Sequence, residues 1–582
     1  MANWLIQNER LLQIVRSPLD EGDITPIEFS GYEIISKAFN FTLDFISGNT
    51  EITPDKLMGN PIVVKINSNL NKPRIFHGLV KNFTAGSIQH GVRNYWVELA
   101  PAMSFLEHTS DYRIFQNKNI VDIVKTLIGE YKHMPIDTAG LTKSYPERDY
   151  CTQYRETALN FINRILQEEG IFYFFKHEES RHSLVLADKS SACKMCEPEV
   201  IFSKGSGKER SISDWQKSNA FYAGKYEQND FNFETPHTSL HTQQQGSAKL
   251  KGTEKYGLYD YPGRYDRTSI GKNYTQHKFN AEEAGYEIFT GSGNYESFAA
   301  GHKITATNLP VLSDQKNYLV TRVDHYAADH TYLGTSGGGT QSYRNNFCVV
   351  SDTVKLRPAE TISKPIVHGP QTAFVVGPKG KEIYTDNYGR VKVQFHWDRK
   401  GEKNEYSSCW LRVSQVWAGK NWGAVFIPRI GHEVIVQFLN GDPDRPVITG
   451  SVYNSDNTMP YQYPFDETKS GIKSHSSKGG GAADANEWYF EDKMGSEEFH
   501  IHAQKDFNQI INNNKTETIK KDSKLTVGNN LTVEIAKQGV VQSNETLEIS
   551  AAKSIKIQVG SNSIVLNTEG IFIDGTKVNI NQ

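Results

Sequence analysis

One segment of the chain has the G-x-S-x-G pattern of serine hydrolases, with Ser336 between Gly334 and Gly338. In those enzymes the serine is the nucleophile, and it stands on a sharp turn that follows a strand and precedes a helix. The residues around Ser336 are rich in glycine and show no helical pattern, which is typical of a flexible loop. We therefore predict no catalytic serine here.

Two pairs of residues have the spacing of metal ligands. Cys193 and Cys196 resemble half of a zinc site, but no second pair accompanies them, so reduced thiols are expected. His500 and His502 would gather six imidazoles if three chains met. The apolar residues that alternate with these histidines are better candidates for an interior, which would leave both imidazoles outside. The sequence therefore predicts no metal and no other cofactor.

Five carboxylates lie close together in sequence, and paired acids can hydrolyse glycosides. That reaction needs a cleft and one acid in an apolar environment. The segment from Asp442 to Pro446 instead has the composition of a turn with a local ion pair. We predict structural roles for the whole group, which consists of Asp386, Asp398, Glu433, Asp442 and Asp444.

Exposed aromatic residues could stack on sugars or bases, and four tryptophans fall between residues 397 and 422. Trp397 and Trp410 lie within predicted strands, where packing in a core or an interface is expected, whereas Trp417 and Trp422 do not. A nucleic-acid partner is disfavoured by charge, because the formal net charge is −3 and no basic block is present.

The start of the chain lacks the basic and apolar regions of a signal peptide. No stretch approaches the ~20 apolar residues of a membrane helix. We expect a protein that folds in the cytoplasm and that leaves the cell, if it does, by a route other than general secretion.

The first 350 residues are predicted to be mainly β, with two helices. Apolar residues at helical spacing predict an amphipathic helix over 120–131 and a second one from Ala158 to Leu166, which Gly170 would end. A strand over 171–175 follows directly. Residues 178–352 suggest further strands with long polar connections, and a proline-punctuated linker comes next.

A compact β module is predicted between Lys381 and Asn454. Five short strands with turn-rich joints suit a small barrel such as an OB-fold. The predicted strands are Gly389–Trp397, Cys409–Ser414, Gly423–Ile427, Glu433–Phe438 and Pro446–Val452.

The last 118 residues, from Phe465, contain none of the chain's 21 prolines, and beyond Phe507 their single aromatic residue is Phe572. Short segments there alternate aliphatic and polar side chains, as strands with one apolar face do. No helical segment is available to cover that face, so a lone chain would expose strand edges and lack a core. We predict a shaft of several identical chains, whose core residues are Leu525, Val527, Leu531, Val533, Leu547, Ile549, Ile555, Ile557 and Val559.

Four groups of motifs occur in one order along the chain. They are 154–175; 385–398; 408–414 with 418–423, 428–434 and 441–446; and 470–476 with 490–495 and 501–506. Together they resemble the VgrG family, the spike proteins of bacterial type VI secretion systems, which are related to the hub and needle of contractile phage tails.

The resemblance implies a mainly β homotrimer with five regions. Residues 1–360 would be a hub of two tandem barrel-like domains with helical insertions, followed by a linker over 361–380. An OB-fold module over 381–455 and a neck over 456–486 would lead to a triple-stranded β-helix needle over 487–582.

The same resemblance implies a non-enzymatic spike that sits on the Hcp tube and punctures membranes when the sheath contracts. Its partners would be a PAAR-repeat tip protein, effectors with their adaptors or chaperones, and the baseplate. It would assemble in the cytoplasm and then be secreted. The tip would dock on Ile571, Ile573, Val578 and Ile580.

Two alternatives remain open. A spike that carries an enzyme would need on the order of 100 further residues, whereas only 16 separate Asn454 from Gly471, and few residues follow Ile580. A phage or phage-like contractile tail component is the other alternative.

Overall fold

The computed structural model describes residues 10–20, 22–67, 73–131, 134–203, 210–246, 250–331 and 341–580. The chain divides into two units, residues 1–502 and 503–582. None of the described helices combines the length and the apolar composition that crossing a membrane requires.

The described residues form a mainly β protein with few helices. The α-helices are α1 Pro54–Leu57, α2 Ile120–Glu130, α3 Ala158–Glu168 and α4 Thr268–Ala284, and short 3-10 helices cover Ala102–His108, Ser190–Ala192, Thr253–Lys255, Leu312–Asp314 and Leu439–Gly441. The strands before residue 360 are β1 Leu12–Arg16, β2 Thr25–Ile34, β3 Asn40–Ser47, β4 Pro61–Ile66, β5 Arg74–Gln89, β6 Val92–Ala100, β7 Ser110–Phe115, β8 Ile136–Gly140, β9 Cys151–Thr157, β10 Phe172–His177, β11 His182–Ala187, β12 Met195–Ile201, β13 Ile212–Asn219, β14 Lys225–Gln228, β15 Thr242–Gln245, β16 Gly257–Asp260, β17 Glu287–Gly293, β18 Lys303–Thr307, β19 Asn317–Asp329 and β20 Gln341–Ser351. The later strands are β21 Gln371–Val376, β22 Lys392–Phe395, β23 Arg412–Val413, β24 Ala418–Gly419, β25 Trp422–Gly423, β26 Glu433–Phe438, β27 Pro446–Val452, β28 Lys469–Lys473, β29 Glu487–Glu491, β30 Glu498–His502, β31 Ser554–Val559, β32 Asn562–Asn567 and β33 Gly570–Asp574.

A twelve-stranded sheet organises the first 350 residues. Its main path is β1, β4, β5, β6, β3, β2, β19, β20, β17, β13, and β18 joins β12 to β19. The antiparallel pairing of β2 with β19 connects strands that lie about 300 residues apart in sequence. Three hydrophobic clusters lie in this region, around Phe41, Phe347 and Phe174.

Both predicted helices are present, and polar caps explain where they begin. The side chain of Asn119 accepts the backbone N–H of Asp122 at the start of α2, and Thr157 accepts that of Asn160 at the start of α3. Gly170 follows α3 with a φ of +68°, a left-handed conformation that glycine adopts without strain. The chain then enters β10, as the sequence predicts.

The 17-residue helix α4 was not predicted, because its buried face has one large apolar residue, Phe279, among small and polar ones. Gly271 packs against the ring of Tyr265, where an added Cβ would lie 2.4 Å from the nearest ring atom. The hydroxyl of Thr275 lies 2.6 Å from that of Thr242 on β15. Such a face lacks the aliphatic periodicity from which amphipathic helices are recognised.

The OB-type module is present, but its strands differ from the prediction in two places. Its five-stranded sheet has the order β22, β21, β26, β27, β23. The strand β21 lies inside the predicted linker, and its alternating residues Ala373 and Val375 enter the core of the module. The predicted strand Gly423–Ile427 is wrong: it contributes only Gly423, to an exposed hairpin of β24 and β25 that leaves Val425 and Phe426 in solvent.

Candidate functional site: apolar sheets of the tail and ion pairs of the hub

The C-terminal sheet has one mainly aliphatic face. Pairing of β31, β32 and β33 places Ile555, Leu566 and Ile571 in one cross-strand row. A second row contains Ile557, Ile564 and Ile573. The opposite face carries Lys556, Gln558, Ser563, Val565 and Phe572, because side chains alternate along each strand.

No described residue of the second unit covers this aliphatic face. Ile557 is 59% exposed and Ile571 is 69% exposed. Full burial of a side chain of this size is worth about 1.5–3 kcal/mol, so each row is a strong attachment surface. The predicted tip-docking residues Ile571 and Ile573 therefore lie on the same face as the predicted core residues Ile555 and Ile557.

The predicted strands between residues 503 and 553 do not form in the single chain. Within this wholly described stretch there is no helix and no paired strand. Each apolar segment is short and has no neighbour in its own chain to supply hydrogen bonds. All six predicted core residues there are exposed, namely Leu525, Val527, Leu531, Val533, Leu547 and Ile549. Val578 and Ile580 are likewise exposed and outside any strand of the single chain.

A second unpartnered face lies at the end of the first unit, on the sheet of β28, β29 and β30. Ile472 is paired with Trp488, and Trp488 with Ile501. Phe490 is paired with Phe499 in the next row, where their rings are stacked 5.0 Å apart. All five apolar side chains are exposed.

The histidines of β30 lie on the other face of that sheet, as the alternation predicts. His500 is stacked on Tyr489 with ring centroids 4.7 Å apart, and His502 shares its side of the strand. Among the described residues no cluster of three or more His, Cys, Asp or Glu side chains has a metal-binding arrangement.

A buried lysine of the linker binds two carboxylates of the OB-type module. Lys364 Nζ lies 2.6 Å from Asp442 Oδ1 and 2.5 Å from Asp444 Oδ2, and its side chain is only 6% exposed. Burial by itself would lower the pKa of Lys364, but Asp444 and Asp442 outweigh burial and raise it. The ammonium therefore stays charged between the two carboxylates.

The turn around Asp442 is confirmed, but the predicted local ion pair is wrong. The amide N–H of Asp444 donates to Asp442 Oδ1, as in an Asx turn. Arg445 instead reaches Asp230 at 2.7 Å, a residue 215 positions earlier. Asp444 also accepts the backbone N–H of Thr152 at 2.6 Å, so the turn bonds to two parts of the hub.

A second group of ion pairs stabilises the end of α3. Glu168 accepts from Arg148 at 2.6 Å and from Arg164 at 2.9 Å. Burial would raise the pKa of Glu168, but Arg148 and Arg164 outweigh burial and hold it well below its usual value. Arg164 also contacts Glu156 at 2.6 Å.

A cleft of about 720 Å³ lies between these two groups and the OB-type module, and its lining includes Glu168, Lys364, Asp442 and Asp444. Asp442 does not have the raised pKa of a general acid: burial would raise it, but Lys364 outweighs burial and lowers it. Glu168, Asp442 and Asp444 each contact a cation, as expected of carboxylates with a structural role.

The remaining predicted residues also have structural contacts. Asp386 accepts from Arg390 at 2.6 Å, Glu433 accepts from Asn454, and Asp398 accepts the N–H groups of the following turn. Trp397 is stacked on Phe395 and Trp410 contacts Tyr384, whereas Trp417 and Trp422 lie on the exposed hairpin. Of the two cysteines with ligand spacing, Cys193 is buried, and the thiol of Cys196 donates to Lys303 O. The G-x-S-x-G segment from Gly334 to Gly338 lies outside the described residues.

Three family profiles match successive parts of the chain. The profile of the phage tail baseplate hub matches residues 32–331. The profile of the type VI secretion system and phage-baseplate injector OB domain matches 381–453. The profile of the bacteriophage T4 gp5 C-terminal trimerisation domain matches 470–580, which includes both unpartnered sheets.

The chain is also similar to individual proteins. It is 39% identical over 526 residues to the type VI secretion system spike protein VgrG1c of Pseudomonas aeruginosa, covering 90% of this chain and 72% of the relative. It is 37% identical to VgrG1a of the same organism, with 99% and 92% covered. A solved Escherichia coli type VI component, described as similar to the T4 tail proteins gp27 and gp5, shares the fold with a TM-score of 0.55, 20% identity, and 76% and 99% coverage.

Proposed function

The chain belongs to the VgrG family of type VI secretion system spike proteins, and we propose that three copies of it form a non-enzymatic spike. Its hub would sit on the Hcp tube, and its tail would be the needle that crosses a target membrane when the sheath contracts. The energy for that crossing would come from the sheath, so the spike need only remain rigid.

One observation carries this proposal, namely the aliphatic face of the C-terminal sheet. Two rows of three aliphatic residues are open to solvent in a single chain, within the segment that matches a trimerisation domain. Three such faces meeting on one axis would give each chain the core that it lacks. Opening such a needle breaks contacts in three chains at once, which favours a slow rate of unfolding.

We propose the five regions predicted from sequence as the functional division, with the first OB strand, β21, assigned to the module. The hub over 1–360 would form a ring of quasi-six-fold symmetry in the trimer and so match a hexameric tube. The neck over 456–486 would lead to the needle over 487–582. The end of the needle, from Ile571 to Ile580, would receive a PAAR-repeat tip protein.

The remaining partners and the site of action are proposed from the family. Effectors, with adaptors or chaperones, would be carried by the spike, and the baseplate would hold it before firing. The chain would be cytoplasmic during assembly and would then be secreted into the medium or a target cell. A role without catalysis is supported by the paired carboxylates of the cleft and by the 16 residues between Asn454 and Gly471, which are too few for an inserted enzyme.

A spike of a phage or phage-like contractile tail is the second candidate. The match of residues 32–331 to a phage baseplate hub favours it. The identity to type VI spike proteins over nearly the whole chain favours the first candidate more strongly.

Removal of Ile571–Gln582 tests the proposed function and the docking site together. We expect the truncated chain to keep a folded hub, because β33 belongs to the second unit, but to lose co-purification of the PAAR tip protein. The full chain should appear in the culture medium together with Hcp when the sheath is active, and the truncated chain should appear there far less. Retention of the tip by the truncated chain would refute the docking site. Absence of the full chain from the medium of a firing cell would contradict the spike function.

A further inference from the structure

Four histidines, one glutamate and one arginine are buried together inside the hub, apart from the residues discussed above. They have almost no solvent exposure: the side chains of His177 and His325 are 0% exposed and that of Glu33 is 6% exposed. Rings of Phe39, Phe41 and Phe76 surround them. The cluster consists of Glu33, Arg74, His77, His177, His182 and His325.

The cluster joins two different sheets. Glu33, His77 and His325 belong to β2, β5 and β19 of the twelve-stranded sheet. His177 and His182 face each other across the β10–β11 hairpin, at the end where the two strands connect, and this hairpin pairs with β8 in a separate three-stranded sheet. The histidines therefore lie between the hairpin and the main sheet.

The contacts of His182 fix where its proton is. Its Nε2 accepts the backbone N–H of Ala102 at 3.0 Å, so the neutral ring carries its proton on Nδ1. That Nδ1 lies 2.9 Å from Nδ1 of His77, which must then be the acceptor. A proton added to Nδ1 of His77 would place two N–H groups against each other, and one added to Nε2 of His182 would oppose the amide of Ala102.

The carboxylate of Glu33 is paired with a cation and lies close to two of the histidines. Arg74 donates to both of its carboxylate oxygens, at 2.8 and 3.0 Å. His177 Nε2 lies 3.0 Å from Oε1, and His325 Nε2 lies 3.5 Å from Oε2. Glu33 contacts Arg74, His177 and His325, so a proton on His77 or His182 would be a buried charge that needs a new partner.

The second nitrogen of His325 is occupied as well. The hydroxyl of Tyr343 accepts from Asn345 Nδ2 at 3.1 Å and can donate its own proton to Nδ1 of His325, 2.7 Å away. Protonation of that nitrogen would break this hydrogen bond. The His77–His182 pair is satisfied only when both of its rings are neutral.

We propose that this cluster is an acid-sensitive latch, which holds the β10–β11 hairpin on the twelve-stranded sheet while the His77–His182 pair is neutral and releases it when the pair is protonated. The latch would keep the hub closed at neutral pH and loosen it in an acidified compartment.

Electrostatics agree with this geometry. Burial lowers the pKa of His77 to about 4, and the nearby His177 and Arg16 contribute in the same direction. Burial lowers the pKa of His182 well below its usual value, with His177 and His77 adding to the effect. Burial also lowers the pKa of His325 and outweighs the opposite effect of Glu33. The titratable and charged groups that face the cluster from the surrounding elements are Arg16, Glu33, Arg74, His177, Glu296, His302 and Tyr343.

The sign of the pH dependence follows from these directions. A histidine in the opened state titrates near pH ~6.5, whereas in the closed state it stays neutral to a lower pH. The opened state therefore binds more protons below pH ~6.5, so the latch is fully stable above that pH and weakens as the pH falls towards about 4. Each proton taken up on opening changes the opening constant roughly tenfold per pH unit.

Hydrogen exchange on the full-length chain at pH 7.5, 6 and 5 tests the latch, after correction for the intrinsic pH dependence of exchange. We expect the opening constant measured on peptides over residues 172–187 to be roughly tenfold or more larger at pH 5 than at pH 6. Peptides over α2 should remain protected. Unchanged protection of 172–187 at pH 5, or an equal loss of protection in α2, would overturn the proposal.

A matched pair of variants assigns the effect to the cluster. In His77→Asn the amide oxygen can still accept from Nδ1 of His182 but takes up no proton, so the pH dependence of opening should fall by roughly tenfold per pH unit. His90→Asn is the control, because His90 is exposed in a turn with a φ of +50°, which asparagine tolerates. A wild-type pH dependence in a folded His77→Asn protein would contradict the latch. If that variant does not fold at pH 7.5, the exchange profile of the unmodified chain decides.

Discussion

A single substitution in the tail, Ile557→Asp, is expected to abolish assembly of the chain into trimers. Ile557 lies in the middle of β31 and in the same cross-strand row as Ile564 and Ile573. If three such faces form the needle core, the variant buries three carboxylates next to one another. Each buried charge without a partner costs several kcal/mol, and the lost aliphatic contact adds about 1.5–3 kcal/mol per chain.

The neighbouring position supplies the control for this substitution. Lys556 is on the opposite face of the same strand, so Lys556→Asp introduces the same carboxylate towards solvent. We expect size-exclusion chromatography with light scattering to show monomers for Ile557→Asp and trimers for Lys556→Asp, and Hcp secretion to fail only with the first. Trimers in the Ile557→Asp protein would show that this face is not the core.

The second large effect is expected at Lys364, where Lys364→Met should destabilise the junction of hub and OB-type module by about 3–5 kcal/mol. The substitution leaves Asp442 and Asp444 as two adjacent buried carboxylates with no counter-charge from residue 364. Either the carboxylates become protonated, or water enters as the module moves away from the hub. Calorimetry should show that the first unfolding transition of Lys364→Met occurs at a lower temperature than that of the unmodified chain.

Two further proteins separate the loss of the ion pair from the loss of the side chain itself. Lys400→Met removes a charge from an exposed lysine and should change the transition little. The triple variant Lys364→Met, Asp442→Asn, Asp444→Asn removes all three charges and should recover part of the lost stability, because it leaves no unpaired carboxylate. A triple variant less stable than Lys364→Met would contradict the assigned role of the pair.

Much of the architecture could be predicted because local patterns determine it. The apolar spacing of α2 and α3, with Asn119 and Thr157 as caps, follows from the chain itself. The alternation in β30 and β31 likewise indicated which side chains share a face. In these elements the local residue pattern is enough to determine the secondary structure and the face on which each side chain lies.

The missed features depend on contacts between distant residues. The face of α4 is buried through Gly271 and hydroxyl groups, which no hydrophobic period reveals. Arg445 pairs with Asp230 and not with its neighbours in the turn, a choice that depends on how the hub folds back on the module. The histidine cluster draws residues from five strands and has no signature in sequence.

The C-terminal segment from Phe465 differs from these cases, because its strands were predicted for an assembly of several identical chains. Segments such as Leu531–Val533 have the alternation of strands, yet in one chain they remain unpaired and exposed. Alternation specifies a face but not the partner that covers it. The strands of this segment are therefore expected to form on assembly of several chains.

The mass of the purified full-length chain in solution tests that claim most directly. Light scattering coupled to size-exclusion chromatography should give about three times the 65.7 kDa of one chain, independent of dilution over the working range. A mass near 65.7 kDa, with a tail that is well ordered in the single chain, would contradict it.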